Sequence, residues 1–422
     1  MIEADSLLML ISSTLFLCYI SGLFYTKTKV PDIIWVLGFG ILLGPILGYF
    51  EKETFLLISP LMSMVALCII LFDAGINVDI VMVVRTMAKS TFLAITTFLS
   101  VVFSVGFLLY YALPESFTLL QAMLLGSMIG GSSTIAVFGI LSGLEKIIPD
   151  IKSTRVILMM ESVISDPICI IASITLIRMV MLPDVSISDS LKDIVYTFIL
   201  SSLLGFALGL IWAEVLHLLR RRPFNYIMTL ATLFPAYITS ERMIGEGGGP
   251  MTALTFGLAL TNYRYITRSM DINRKVMVDK ERLRDFHEEI TFFIKAFFFV
   301  YIGLIITLSL RYVIIGLSIT TVILAIRFAV ASIVGKLFSF SVQENVLCRL
   351  IFAQGLPAFV MSQLPFIFDP NRQFFLNPEI YPNLCMPIVL GTVLYGAIVG
   401  PIIAKWELKK KNTVELKETL KG

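Results

Sequence analysis

Charged residues are scarce in this chain. Asp, Glu, Lys and Arg make up 15% of the 422 residues, whereas about a quarter of a typical soluble domain is charged. Hydrophobic residues make up 57% and the mean hydropathy is +0.90, which excludes water as the main solvent of the chain. The net charge is only +3, so we expect no nucleic acid as a partner.

Cysteine is also rare, and the spacing of the five cysteines excludes two kinds of site. No CxxC pair occurs and no histidine stands at ligand spacing, so the sequence predicts neither disulfide bonds nor a zinc site. We expect small buried side chains instead, and we expect no cofactor. The five are Cys18, Cys68, Cys169, Cys348 and Cys385.

Long apolar runs are abundant. Most are roughly 17 to 28 residues long, and about 20 helical residues cross the hydrocarbon core of a membrane. We therefore predict an all-α, many-pass membrane protein, with the first run kept as a span and not cleaved as a signal peptide. The thirteen predicted spans are 7–25, 32–49, 55–74, 90–112, 117–141, 154–180, 194–218, 224–240, 250–262, 290–310, 312–335, 347–365 and 385–405.

Basic residues are distributed unequally between the loops that join these spans. With the N-terminus outside, 25 of the 33 Lys and Arg residues fall in loops on the inner side and 6 on the outer side. Short loops rich in Lys and Arg stay in the cytoplasm. We therefore expect the cell membrane as the location, an outside N-terminus and a short cytoplasmic tail at 406–422.

Two interruptions divide the chain into matching halves. The fifth span contains Gly130–Thr134 (GGSST) and the twelfth contains Gln354–Pro357 (QGLP). Transporters with inverted repeats have a helix interrupted at the same place in each half. The predicted parts are one transmembrane domain over 1–422, a first repeat at about 7–180, a linking helix at about 194–218 and a second repeat at about 224–405.

Ionisable side chains deep in a membrane cost a few kcal/mol each, so each is a candidate for function. Asp166 lies about thirteen residues into the sixth span, or roughly 19 Å at 1.5 Å per residue, which is close to the midplane. Glu161 lies about 140° away around the same helix, at a depth similar to that of Arg327 in the eleventh span. A pair between Glu161 and Arg327 would leave Asp166 as the carboxylate that exchanges a proton for a cation.

Hydroxyl groups are the expected partners of Asp166. Na⁺ and K⁺ are hard ions that prefer oxygen ligands. The break in the fifth span supplies hydroxyls and free carbonyls, and Ser165 directly precedes Asp166. We predict that Na⁺ or K⁺, or a proton, binds at a site formed by Asp166, Ser165, Ser132, Ser133 and Thr134.

Four further polar residues have open roles. Asp73 ends the third span near the inner surface, where it either lines an entrance funnel or is a simple charge at a helix end. Lys295 lies about six residues into the tenth span and can extend to the interface, which favours a structural role. Gln354 lies at the second break. His287 lies in the polar stretch 263–289, which predicts an interfacial linker helix, and a regulatory role for it is open.

Several motifs resemble the monovalent cation/proton antiporter superfamily. Met160–Pro167 (MESVISDP) resembles the ES-x-x-ND-P motif of NhaP-type sodium/proton antiporters, and shorter similar segments are Gly40–Pro45, Phe72–Ile76 and Ile326–Phe328. The resemblance implies that Asp166 binds the cation or proton, that Glu161 pairs with Arg327, and that thirteen helices form a protomer of a homodimer.

Two segments differ from the NhaP pattern. Ser165 replaces the asparagine before the aspartate. Ser132-Ser133-Thr134 replaces a T-D-P segment and resembles the SST of Kef-type potassium/proton antiporters, as Gln354-Gly355 resembles their QGGEFAF segment. Both Na⁺ and K⁺ therefore stay candidate substrates.

We expect a transporter and not an enzyme. With Glu161 neutralised by Arg327, Asp166 alone carries either one cation, Na⁺ before K⁺, or one proton, so the exchange is electroneutral. The resemblance implies alternating access, in which spans four to six and eleven to thirteen move against the dimer-forming remainder.

Three alternatives stay open at this point. The first is a sodium-coupled carrier that binds an organic anion at the helix ends of the two breaks. The second is an intramembrane enzyme with Asp166 and Asp73 as a catalytic pair, although their different depths speak against a shared site. The third is a channel, although no loop resembles a selectivity filter.

Overall fold

The computed structural model describes most of the chain. The residues outside the description are 1–3, 29–31, 51, 78–79, 146–147, 149–150, 182–186, 221, 223–224, 246–247, 270–278 and 420–422. The described residues form helices joined by short connections and contain no β-strand, which confirms the all-helical prediction.

The helices follow the order of the predicted spans. They are α1 Ala4–Thr28, α2 Asp32–Ile41, α3 Lys52–Asn77, α4 Ile80–Ala112, α5 Leu119–Met128, α6 Thr134–Leu144, α7 Lys152–Met181, α8 Ile187–Leu219, α9 Ile227–Met243, α10 Gly248–Ser269, α11 Lys280–Ile305, α12 Leu310–Leu337, α13 Val342–Leu350, α14 Leu356–Ser362, α15 Leu364–Phe368, α16 Ile380–Leu394 and α17 Gly400–Thr419. π-Helical turns follow α2 at Leu42–Ile46 and α16 at Tyr395–Val399.

Five described helical segments are long and apolar enough to cross a membrane. They are Ala88–Ala112, Lys152–Met181, Val195–Leu219, Leu310–Leu337 and Ile380–Lys410. Shorter apolar helices cover parts of other predicted spans, at Leu8–Phe24, Ile34–Ile46, Met64–Asn77, Leu119–Met128 and Pro357–Phe368. Several helices also continue past the apolar run, because backbone hydrogen bonding does not stop where hydropathy falls. The tenth predicted span begins at 290, for example, but α11 begins at Lys280.

The chain forms two compact units. The first contains Met1–Leu57, Thr86–Leu176 and Phe299–Gly422, and the second contains Ile58–Arg85 and Ile177–Phe298. All the residues predicted to bind the cation or proton belong to the first unit, as do Glu161, Arg327 and Gln354.

The fifth span is interrupted as its sequence predicts. α5 begins with a capping box between Thr118 and Gln121 and ends at Met128, and α6 begins six residues later, at Thr134, with Ser133 as its N-cap. A side chain on Gly131 would clash, since a Cβ there would lie 2.8 Å from the sulfur of Cys169. The unwound residues 129–133 therefore lie close against α7.

The twelfth span is interrupted at the matching place. α13 ends at Leu350 and α14 begins at Leu356, with a proline in its first turn. The two unwound segments touch each other, because the backbone N–H of Ser133 donates to the carbonyl of Ala353 at 2.8 Å. A Cβ on Gly355 would lie 2.5 Å from the Ser133 hydroxyl, so glycine permits this close approach.

A polar cluster holds the N-terminal end of α13, outside the predicted span 347–365. Ser341 and Glu344 form a capping box, and Ser153 at the start of α7 donates to the Glu344 carboxylate at 2.5 Å. Burial raises the pKa of Glu344, but these hydrogen bonds and the charge of Lys89 outweigh burial and hold the pKa below its usual value.

Candidate functional site

One helix, α7, carries most of the candidate residues. Glu161, Ser162, Ser165 and Asp166 lie within two turns of it. Glu161, Ser162 and Ser165 are buried, whereas Asp166 is partly exposed. Because successive residues turn by about 100°, Ser162 and Asp166, four residues apart, lie on one face, and Glu161 points elsewhere. The two carboxylates therefore have different surroundings.

Glu161 and Arg327 form a bidentate ion pair. Nη1 of Arg327 donates to Oε1 of Glu161, and Nη2 donates to Oε2 at 2.8 Å. Arg327 also donates through Nε to the carbonyl of Cys348 at 2.6 Å and through Nη1 to Thr97 at 3.4 Å, and its guanidinium lies 5.2 Å from the centre of the Phe352 ring. A buried pair is tolerated when hydrogen bonds satisfy both charges, as they do here.

Asp166 has a different environment. Among the residues that the structure describes, its carboxylate makes no hydrogen bond and no ion pair. A carboxylate that is partly shielded from water and lacks a charged partner can bind either a proton or a cation, since both remove its charge. Of the two acidic residues in the middle of α7, Asp166 is therefore the one without an ion pair in the described part of the chain.

Hydroxyl groups join α7 to the break in the fifth span. Ser162 donates to the carbonyl of Ser132 at 2.5 Å, and the backbone N–H of Ser132 donates to the hydroxyl of Ser165 at 3.3 Å. The hydroxyl of Ser165 in turn donates to the carbonyl of Ser162 at 3.1 Å. The structure thus brings Ser132 and Ser165 together beside Asp166.

Ser133 and Thr134 are the other two residues whose hydroxyls are predicted to bind the cation. The hydroxyl of Ser133 accepts from the backbone N–H of Ala136 at 3.5 Å, as the N-cap of α6, so this side chain already has a structural task. The side chain of Thr134 lies outside the described residues.

Gln354 spans the two breaks. Its side-chain amide donates to the carbonyl of Ile129, and its backbone N–H donates to the hydroxyl of Thr392 at 3.2 Å. Gln354 is 1% exposed. The side chain therefore links the second broken span to the first inside the site region.

Asp73 and Lys295 lie in the second unit, where they form an ion pair. Nζ of Lys295 lies 3.2 Å from Oδ2 of Asp73, and both side chains are only partly exposed. Asn77, one turn further along α3, donates to the Asp73 carboxylate at 3.3 Å. The opposite signs of two charges within apolar spans are the signal in the sequence that could have predicted this pair.

His287 is fully buried near the start of α11. Its ring packs edge-on against Phe72 and Phe286, with centroid distances of 4.8 and 5.2 Å. Neither ring nitrogen has a hydrogen-bond partner among the described residues. α10 continues to Ser269 and α11 begins at Lys280, so part of the expected linker helix at 263–289 lies outside the described residues.

Sequence reasoning missed two contributors to the site. Ser162 was overlooked although it stands four residues before Asp166, a spacing that places two side chains on one helix face. The carbonyl of Cys348, which accepts from Arg327, could not be found, because every residue has a carbonyl and only the fold selects which one is free.

Comparison with known proteins places this geometry in context. A family model described as the transmembrane sodium/hydrogen exchanger matches residues 12–410. The sodium proton antiporter MjNhaP1 from Methanocaldococcus jannaschii has a similar structure. Its structure at pH 8 aligns with a TM-score of 0.75 and 17% identity, covering 95% of this chain and 98% of that one. Its electron-microscopy structure aligns with a TM-score of 0.73 and 18% identity, covering 97% and 98%. At such identities the likeness establishes the fold.

Proposed function

The chain belongs to the sodium/hydrogen exchanger family, and on that premise we propose that it exchanges one monovalent cation for one proton at Asp166. One observation carries the proposal. Glu161 is neutralised by Arg327, whereas Asp166 has no charged partner among the described residues. A single free carboxylate in the membrane has the chemistry that such an exchange needs.

The exchange is electroneutral under this proposal. Glu161 and Arg327 contribute no net charge, so Asp166 alone balances the bound ion. The site then has the same net charge with a cation bound as with a proton bound, and each cycle moves one positive charge in each direction. A membrane potential therefore adds no driving force.

Oxygen atoms around Asp166 supply the rest of the cation site. Ser132 and Ser165 are supported by their place beside Asp166, while Ser133 and Thr134 stay predictions. Na⁺ is the first candidate because the family model is that of a sodium/hydrogen exchanger, and K⁺ is the second. Both are hard ions that suit such a site.

The two broken spans support alternating access. Unwound segments that cross near the membrane centre leave backbone groups free for an ion, and movement of the bundle that holds them opens the site to each side in turn. Spans four to six and eleven to thirteen are the proposed moving bundle. A homodimer in the cell membrane, with its N-terminus outside and its C-terminus cytoplasmic, completes the proposal.

Exchange in proteoliposomes tests the proposal. A pH-sensitive dye inside the vesicles reports proton movement after a gradient of Na⁺, K⁺ or Li⁺ is imposed, with no organic solute present. We expect proton movement in the wild type and at least about a hundred-fold slower movement in Asp166→Asn, since the amide cannot release a proton.

Two comparisons sharpen the test. Asp279→Asn makes the same chemical change at an exposed position and is expected to retain exchange. An imposed membrane potential is expected to leave the wild-type rate unchanged. Full activity in Asp166→Asn would show that the carboxylate assignment is wrong, and a wild type that needs an organic anion would favour the sodium-coupled carrier.

A further inference from the structure

We propose that Gln354 is a ligand of the transported cation and, with the hydroxyl of Ser132, sets the preference among monovalent ions; this inference rests on the exchange proposed above. It assigns a binding role to the second broken span, which otherwise contributes only backbone to the site. The case depends on two buried oxygen atoms that lack partners.

The first oxygen is Oε1 of Gln354. The side-chain amide has a donating end and an accepting end. The donating end faces the carbonyl of Ile129, and this partner fixes which end is which. Oε1 then has no hydrogen-bond partner within the described part of the chain, although the residue is 1% exposed.

The second oxygen is Oγ of Ser132. The backbone of this residue is fully engaged, because its N–H donates to Ser165 and its carbonyl accepts from Ser162. Its hydroxyl is buried and has no partner among the residues described. The backbone bonds hold Ser132 in place while leaving the side chain free.

Both oxygens belong to the crossing of the two broken spans. Gln354 is bonded to Ile129, three residues before Ser132, and Ser132 is bonded to Ser165, which directly precedes Asp166. The backbone bond from Ser133 to Ala353 keeps the segments in contact. These bonds connect Gln354 and Ser132 to the residue next to Asp166 in α7.

A buried oxygen without a hydrogen-bond partner costs free energy, so two such oxygens at this crossing indicate a site for a bound ligand. A dehydrated cation suits them, since a carbonyl oxygen and a hydroxyl oxygen both turn their negative ends towards it. The structure holds both groups in place before the ion arrives. Less ordering is then needed on binding.

The mixture of ligands bears on which ion is favoured. Neutral oxygens create a weaker field than carboxylates, and a site with one carboxylate and several neutral oxygens suits a larger, less strongly hydrated ion. A larger ion also contacts more ligands at once. Loss of Oε1 from Gln354 is therefore expected to weaken the binding of K⁺ most and the binding of Li⁺ least.

The test measures the half-saturating concentration of K⁺, Na⁺ and Li⁺ in proteoliposomes of the full chain at one pH. Gln354→Met keeps the length of the side chain and removes the amide. Ser132→Ala removes only the unpartnered hydroxyl, so it breaks no hydrogen bond seen within the site. We expect each change to raise the half-saturating concentration of K⁺ about ten-fold and that of Li⁺ less than about two-fold.

A structural role would leave a different signature. If Gln354 only positioned the break, Gln354→Met would weaken the binding of all three ions equally. Ser132→Ala would then leave the half-saturating concentrations unchanged. Ser127→Ala is the matched control: Ser127 lies in the last turn of α5, and its hydroxyl bonds to Ser173 at 2.8 Å. It is not a cation ligand under this proposal, so the ratio between ions should not change. Cation protection of the detergent-solubilised protein against heating gives a second measure of binding without transport.

The outcomes separate the two proposals. Exchange with unchanged ion ratios in both variants would overturn the role of Gln354 and leave the exchange at Asp166 standing. Absence of exchange with all three ions in the wild type would overturn the exchange itself, and this inference with it.

Discussion

The buried pair of Glu161 and Arg327 permits a quantitative test of the site's electrostatics. Arg327 is fully buried and Glu161 is 1% exposed, so neither charge has water as an alternative partner. Removing one member of such a pair costs about 3–5 kcal/mol, because the other charge stays buried without compensation. The expected loss of stability differs between replacement of Glu161 and replacement of Arg327.

The hydrogen bonds of the pair determine which single variant loses more free energy of unfolding. We expect Glu161→Gln to lower the free energy of unfolding by about 3 kcal/mol, since the new amide still accepts a hydrogen bond from the guanidinium. Arg327→Met should lower it by about 5 kcal/mol, since Glu161 is left as a buried anion and the carbonyl of Cys348 loses its donor as well.

The double variant is the decisive one. Glu161→Gln combined with Arg327→Met removes both charges, and replacing a buried pair by neutral groups of similar volume is often close to neutral. We expect a total loss of about 2 kcal/mol, which is less than either single loss. The two substitutions should therefore show a coupling of several kcal/mol.

Equilibrium unfolding of the purified chain in mixed detergent micelles provides the measurement. The surface pair of Arg372 and Glu379 is a suitable control, because their side chains are 45% and 27% exposed at a separation of 3.0 Å, and Glu379→Gln should cost less than about 1 kcal/mol. Additive losses in the double variant, near about 8 kcal/mol, would refute the view that Glu161 and Arg327 form one neutral unit.

Two further predictions concern the crossing of the breaks and the capped end of α13. Gly355→Ala should destabilise the protein by about 1–3 kcal/mol, because the added Cβ would lie 2.5 Å from the Ser133 hydroxyl; thermal unfolding in detergent checks this, and an unchanged midpoint would contradict the close approach. The lowered pKa of Glu344 contributes stability above the unfolded pKa of about 4.3, which is lost as the pH falls through the folded pKa. The deficit of Glu344→Gln should therefore shrink below about pH 4, and a deficit independent of pH would contradict this origin.

Local features of the sequence predicted the elements of the fold. Apolar runs located the helices because each run must bury its own backbone hydrogen bonds in lipid. The segments Gly130–Thr134 and Gln354–Pro357 located both breaks, since glycine and proline weaken a helix through their own backbone chemistry. The helix ends were less accurate, as α11 shows, because hydropathy detects lipid contact and not hydrogen bonding.

The sequence also separated the two carboxylates of α7. Helical geometry alone places Glu161 and Asp166 on different faces, and the need to neutralise buried charge suggested Arg327 as a partner for Glu161. Which spans are neighbours is not encoded in any local pattern, however. The tertiary structure alone decided that Lys295 meets Asp73 and that Ser133 meets Ala353.

The same division holds at the proposed ion site. The sequence by itself predicted that Asp166 stands in mid-membrane as the free carboxylate, with hydroxyl residues at a break one span away. Only the tertiary structure decided which oxygens are used up by internal hydrogen bonds and which are left free, as in Ser133 against Ser132 and Gln354. A hydrogen bond depends on distances of a few tenths of an ångström between residues far apart in the chain, and only the packed helices fix those distances.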